Sequence, residues 1–282
     1  MKIAEQSAQV WGETPLQFQP ALERIERAGR QCYQSLDKIE TGTARPFLER
    51  VLKPVPAHLS VTEHSNMVFR SKKVKLPLEL EQRVKTKISS NFIYTGIHRD
   101  RVYIFGNFRA WYEMMKPGSF FDLEDSNYLL HTGVDFKRVL ENKKLPRFAK
   151  AVTVLFKTDR AVSHEIVRHR PCAQSQESQR YVKYDGDMEF IAPSWYDSAD
   201  SAQKAVWEQS MYLAEHNYKR LLQGGLKAQD ARTVLPNSTA TSIVTTAYLP
   251  EWDHIFYLRT SSAAYPSMRS LMVSAQKQMK RI

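Results

Sequence analysis

The sequence predicts an α+β protein: stripes of apolar residues at helical spacing alternate along the chain with shorter runs of β-branched and aromatic residues. Leu22, Ile25, Ala28 and Cys32 recur at helical spacing after Pro20, so residues 20–35 are expected to form an amphipathic helix. A short helix over 43–53 leads into the segment His58–His64, and residues 65–71 read as a strand. Residues 73–148 carry helix and strand patterns of their own and many aromatics, including Phe92, Tyr94, Tyr103, Phe105, Phe108, Trp111 and Tyr112. These rings are expected to form a small core of their own. Within this stretch Asn107 and Arg109 can face a site, although nothing in their spacing requires it.

Residues 151–156 (AVTVLF) read as a further strand. The next helix carries His164, Glu165, Ile166 and Val167. Pro171 disfavours α geometry at Arg170, so that helix is expected to stop there and the polar run to continue as a loop. Trp207, Met211, Ala214, Tyr218 and Leu221 form a helical stripe that ends at Gly224-Gly225. A short helix carrying Arg232 stops before Pro236, and 239–248 is rich in Thr, Val and Ile, as a strand would be. A helix over 252–258 and a last one opened by Pro266, with Met268, Leu271, Met272, Ala275 and Met279, complete the pattern. These stripes read as core, not as cofactor contacts.

The chain has 282 residues, 42% of them hydrophobic, enough for one large core or two modest ones. It has no apolar run of eighteen residues and no basic-then-apolar leader, which predicts neither a membrane span nor a secretory signal. Its two cysteines, Cys32 and Cys172, are too few and too distant for a disulfide framework, so a reducing cytoplasm is the expected location. A net charge of +11 suits either nucleic acid or several small polyanions. The basic residues are spread along the chain without a nucleic-acid motif, which favours small anions.

The stretch from Arg168 to Tyr181 is the densest in site chemistry. Arginine forks grip phosphate oxygens in pairs, and the serines, glutamines and glutamate supply directional hydrogen bonds to a base or ribose. A metal is not expected: His164 and His169 are five apart and diverge by roughly 140° on a helix. Ser178 lacks a nucleophile elbow and reads as a substrate contact. Cys172 reads as an incidental thiol more readily than as an attacking thiolate. Taken singly, His58 and His64 read as core histidines.

Arg168-His169-Arg170 followed by seven residues and Ser178 resembles the signature of the flavin-dependent thymidylate synthases, the ThyX family. His58–His64 resembles that family's HxSxxEH segment. Ala231-Arg232 with Leu235-Pro236 is similar to its ARxxLP element, and Leu258-Arg259 to a late arginine after a helix. The resemblance implies a twisted, mainly antiparallel sheet with flanking helices. It also implies a discontinuous catalytic core over 1–72 and 149–282, with 73–148 an inserted α+β segment. In the family the strand at 65–71 is followed closely by its partner, so the strand at 151–156 is expected to be that partner, displaced by the insertion.

The resemblance further implies FAD as cofactor, with NADPH and methylenetetrahydrofolate as cosubstrates, and reductive methylation of dUMP to dTMP. A C5-modifying relative, methylating UMP or installing a hydroxymethyl group, stays open, as does a repurposed fold that binds nucleic acid without catalysis. His58, Ser60, Glu63, Arg168, His169, Arg170 and His254 are implied at the flavin. Glu165, Gln176, Ser178, Arg180, Arg232 and Arg259 are implied at the nucleotide, with Arg259 catalytic beside the pyrimidine. A homotetramer with active sites shared between subunits is expected. The chain departs from the family pattern at several positions. Ala173 replaces a common serine, and Gln176-Glu177 stand where a glutamate usually comes one residue earlier. Tyr248 and His254 replace frequent asparagines, and Tyr265 and Ser267 also differ.

Overall fold

A computed structural model describes residues 1–54, 57–88, 90–125 and 134–281. Residues 126–133, inside the segment expected to be inserted, and Ile282, the last residue of the expected core, lie outside them. In chain order the elements are β1 (Lys2–Ala4), β2 (Ser7–Glu13), α1 (Phe18–Cys32), α2 (Ala44–Leu52), β3 (Asn66–Ser71), α3 (Pro77–Lys85), β4 (Ile93–His98) and β5 (Arg101–Asn107). There follow α4 (Phe108–Met115), β6 (Phe136–Arg138), β7 (Ala151–Asp159), α5 (Arg160–Ile166), β8 (Ala173–Gln176) and β9 (Glu189–Ile191). The chain closes with α6 (Ser201–Gln223), α7 (Ala228–Ala231), β10 (Ala240–Tyr248), α8 (Leu249–Arg259) and α9 (Pro266–Met279). The protein is α+β, as its patterns predict. No helix among the described residues is long and apolar enough to cross a membrane.

Among the described residues there are two antiparallel sheets, ordered β2-β7-β10-β8 and β4-β5-β3-β6, and a parallel pair of β1 with β9. Two sequence expectations are corrected here. The strand at 151–156 is not the partner of β3: β7 is flanked by β2 and β10, so neither of its edges is free. β3 instead lies between β5 and β6, with Met67, Val68 and Phe69 all buried, as a central strand covered on both faces requires. The polar run after Pro171 is not all loop either. β8 pairs with the outer edge of β10, and its glutamines find partners on α5: Gln174 Nε2 donates to the Ile166 carbonyl (2.9 Å) and Gln176 Nε2 to Ser163 Oγ (2.8 Å).

The cores follow the helical stripes. Val152, Val154 and Phe156 of β7 pack with Ile243 of β10 beneath Trp252 and Phe256 of α8 and Met268, Leu271 and Met272 of α9. A second core joins Leu22 and Ile25 of α1 and Phe47 of α2 to Phe69, Phe108 and Trp111. The aromatics of 73–148 therefore do not form a core of their own. Phe108 and Trp111 pack with the N-terminal helices, while Tyr94, Tyr103 and Phe105 pack with Leu16, Val68 and Tyr248. Phe92 is exposed. A hydrophobic stripe of α6 (Trp207, Met211, Tyr218) covers Met188 and Phe190.

Candidate active site

The signature helix is held at its start by Asp159, whose carboxylate accepts from the Val162 amide at 2.6 Å and so caps α5. After Ile166 the chain turns, with the Arg168 amide donating to the Glu165 carbonyl and the His169 amide to that of Ile166. This turn points the His169 ring inward, where it is 8% exposed, while Arg168 and Arg170 stay at the surface. Arg259, the last residue of α8, reaches both. Its Nε donates to His169 Nε2 at 3.0 Å, and its Nη1 donates to Glu165 Oε2 at 2.9 Å. Because Nε2 accepts, the imidazole is neutral with its proton on Nδ1. Burial, then the cationic Arg259 and the neighbouring His254, push the His169 pKa down to about 4. The result is a guanidinium oriented by one carboxylate and one neutral imidazole.

A second cluster lines a cavity of about 280 Å³ between the two sheets, next to the signature turn. Arg170, Cys172 and Tyr248 face it from one side; Glu63, Tyr94 and Arg109 from the other. Glu63 Oε1 accepts from Arg109 Nη1 at 2.8 Å. Burial raises the Glu63 pKa, and the Arg109 guanidinium opposes that rise. The Tyr248 hydroxyl donates to Asn66 Oδ1 at 2.8 Å, and its ring meets Tyr94 and Phe105 edge-on. Burial pushes the Cys172 thiol up to about 12, so it is no thiolate at neutral pH. Behind the cavity His64 is wholly buried, its Nδ1 hydrogen-bonded to Thr246 Oγ1 at 2.9 Å, and burial lowers its pKa to about 3.

The third group follows β8. Gln176 Nε2 bridges Ser163 Oγ and Thr241 Oγ1, the latter at 3.3 Å. Glu177 is buried, accepting from the Tyr184 hydroxyl at 2.5 Å and from Gln34 Nε2 at 3.1 Å. The Ser178 amide donates to the Cys32 carbonyl, and Arg180 lies over the ring of Tyr181. Arg232 Nε donates to the Gln229 carbonyl, and its charge reaches the half-buried Arg160. Of the residues singled out in the sequence, Glu165, His169, Arg259 and His254 come together, and Glu63 and Arg170 share the cavity. Among the described residues no side-chain hydrogen bond or ion pair joins His58, Ser60, Arg180 or Arg232 to those two clusters. Sequence reasoning passed over Asn66, Tyr184 and Gln34, and read Tyr94 only as core. Asn66, Tyr94 and Gln34 enter through pairings distant in the chain, and Tyr184 through a bond to Glu177 seven positions away in an irregular stretch, which no local pattern signals.

The comparisons with known proteins fall on the same half of the chain. Residues 146–282 match the Thy1 family, described as thymidylate synthase complementing protein, and this span holds the signature turn, β8, β10 and α8. Over those residues the chain is similar to the Thy1 family. Similar proteins carry the name flavin-dependent thymidylate synthase. That of Geobacter sulfurreducens is 38% identical over 122 residues, which cover 43% of this chain and 52% of the relative. That of Sulfurisphaera tokodaii is 34% identical over 123 residues, 44% of this chain and 47% of the relative. That of Mycobacterium tuberculosis is 28% identical over 185 residues, covering 61% and 72%. The chain thus spans about half the length of the first two relatives.

Proposed function

We propose that this chain is a member of the Thy1 family and a flavin-dependent thymidylate synthase: it methylates dUMP to dTMP, with methylenetetrahydrofolate giving the carbon and NADPH the electrons. The observation that carries this reading is the Arg259 guanidinium, fixed at 2.9–3.0 Å between Glu165 and His169, residues some ninety positions earlier in the chain. Such a preorganised cation stabilises negative charge that develops on a pyrimidine ring during attack at C5. The neutral His169 takes no share of that charge and keeps the guanidinium in place.

The residues present also fit FAD. Arg168 and Arg170 are exposed and make no ion pair among the described residues, leaving both guanidinium groups for a pyrophosphate. His58 and Ser60 are exposed too, and the cavity beside Arg170 has aromatic walls suited to a flat ring. Bound there, the flavin supplies the hydride chemistry; the chain supplies orientation and electrostatics. Gln176, Ser178, Arg180 and Arg232 then hold the nucleotide, with the two arginines directed to phosphate. Exposed cations without partners also suit a homotetramer whose subunits complete one another's sites.

The deciding experiment is the visible spectrum of the purified protein, repeated anaerobically with NADPH, with and without dUMP. A flavin band that bleaches, and bleaches faster with dUMP, is expected. No flavin band even after FAD is added would overturn the reading. With flavin bound, Arg259→Ala is expected to abolish dTMP formation while flavin content stays near that of the wild type; an active variant refutes the role given to Arg259.

A further inference from the structure

The cavity beside Arg170 has one wall from outside the Thy1 match: Phe92, Tyr94, Asn107 and Arg109 belong to residues 73–148, the stretch that the family resemblance marks as inserted. Arg109 sits in the first turn of α4. Asn107 fixes that turn by accepting from the Ala110 amide at 2.8 Å. The guanidinium is divided between two carboxylates, Nη1 to Glu63 and Nε to Glu113, each at 2.8 Å. Both bonds hold it charged. Its Nη2 makes no hydrogen bond among the described residues, and neither does Oε2 of Glu63. The ion pair therefore offers an unused donor and an unused acceptor side by side. Tyr94 and Tyr248 flank the same space with their rings.

That combination has a chemical complement. Aromatic walls accept a flat heterocycle, and an adjacent donor and acceptor match a cyclic imide edge, where a ring C=O stands beside a ring N–H. We propose that Arg109 and Glu63 together read the imide edge of the ring bound in this cavity. Arg109 is thereby a specificity-determining residue contributed by the segment 73–148. The inference rests on the flavin reading above, the flavin ring being the imide-bearing ligand. It gives the inserted segment a role in ligand selection in addition to packing.

The test is a titration of flavin-free protein with FAD and with FAD methylated at the imide nitrogen, followed by quenching of flavin fluorescence. Wild type is expected to bind FAD at least about tenfold more tightly than the methylated analogue, the factor that a charge-assisted hydrogen bond commands. Arg109→Ala is expected to lose about tenfold in FAD affinity and most of that discrimination. Arg109→Lys keeps the charge without the fork, and should lose the discrimination as well. Glu113→Gln, which leaves the imide-reading pair intact, should keep it. The proposal is overturned if Arg109→Ala and Arg109→Lys discriminate as wild type does, or if both flavins weaken equally in both variants, which would mark Arg109 as merely structural. A wild type that binds neither flavin defeats the functional reading itself, and this inference with it.

Discussion

The neutral, buried imidazole of His169 makes the site sensitive to acid, and the size of the effect follows from its surroundings. An unfolded histidine titrates near 6.5, whereas burial, Arg259 and His254 hold His169 at about 4. The unfolded chain therefore binds more protons between those two values, and stability falls as pH drops through that window. At 1.36 kcal/mol per unit the whole shift amounts to about 3 kcal/mol, of which about 2 kcal/mol is already lost between pH 7 and pH 5. His64, depressed to about 3 by burial, loses stability in the same direction, so the effect of His169 has to be isolated by difference. His169→Asn retains an acceptor for Arg259 Nε but has no titrating group. Urea unfolding of both proteins at pH 7 and pH 5 should show the wild type losing about 2 kcal/mol more than the variant. A difference between the two proteins that stays constant with pH would refute the assignment of a neutral, acid-labile His169.

Tyr184→Phe removes one of the two donors to the buried Glu177 carboxylate, and should cost about 1.5–3 kcal/mol in urea unfolding, the range for a hydrogen bond to a charged group. A loss under about 0.5 kcal/mol would show that Glu177 is protonated or solvated there. Gly29→Ala places a methyl group 2.5 Å from the Phe47 ring, where α1 crosses α2. A loss of about 1–3 kcal/mol in thermal unfolding is expected, and an unchanged midpoint would mean that the ring moves aside freely.

The helices were legible because their apolar stripes are long: Leu22, Ile25, Ala28 and Cys32 are all buried where the spacing puts them. α8 was visible too, and with it the position of Arg259. What the helix pattern could not convey was the partner of each strand. β3 reads as a strand from its own residues, but which edge it meets depends on β5, more than thirty residues away, and on β7 having no edge left to offer. β8 was hidden for a different reason. Its side chains are polar because α5 supplies their hydrogen-bond partners, so no apolar alternation marks it. Within the site the motif named Glu165, His169 and Arg259, yet the bonds among them needed the fold. Arg109 carried no local signal, since its value lies in meeting Glu63 across forty-six positions.

Tyr248 has a consequence for how the chain can be dismantled. It stands at the end of a strand within the Thy1 match, yet its ring is enclosed by Tyr94 and Phe105, which lie outside that match, and its hydroxyl is bound to Asn66. Tyr248 and residues 73–148 are thus coupled through packing. Excising 73–148 by splicing its flanks together would strip a large ring of its neighbours. Grafting the segment onto a relative with asparagine there would leave a gap of about a ring's volume. Any exchange of parts between this chain and similar proteins has to carry position 248 along with residues 73–148.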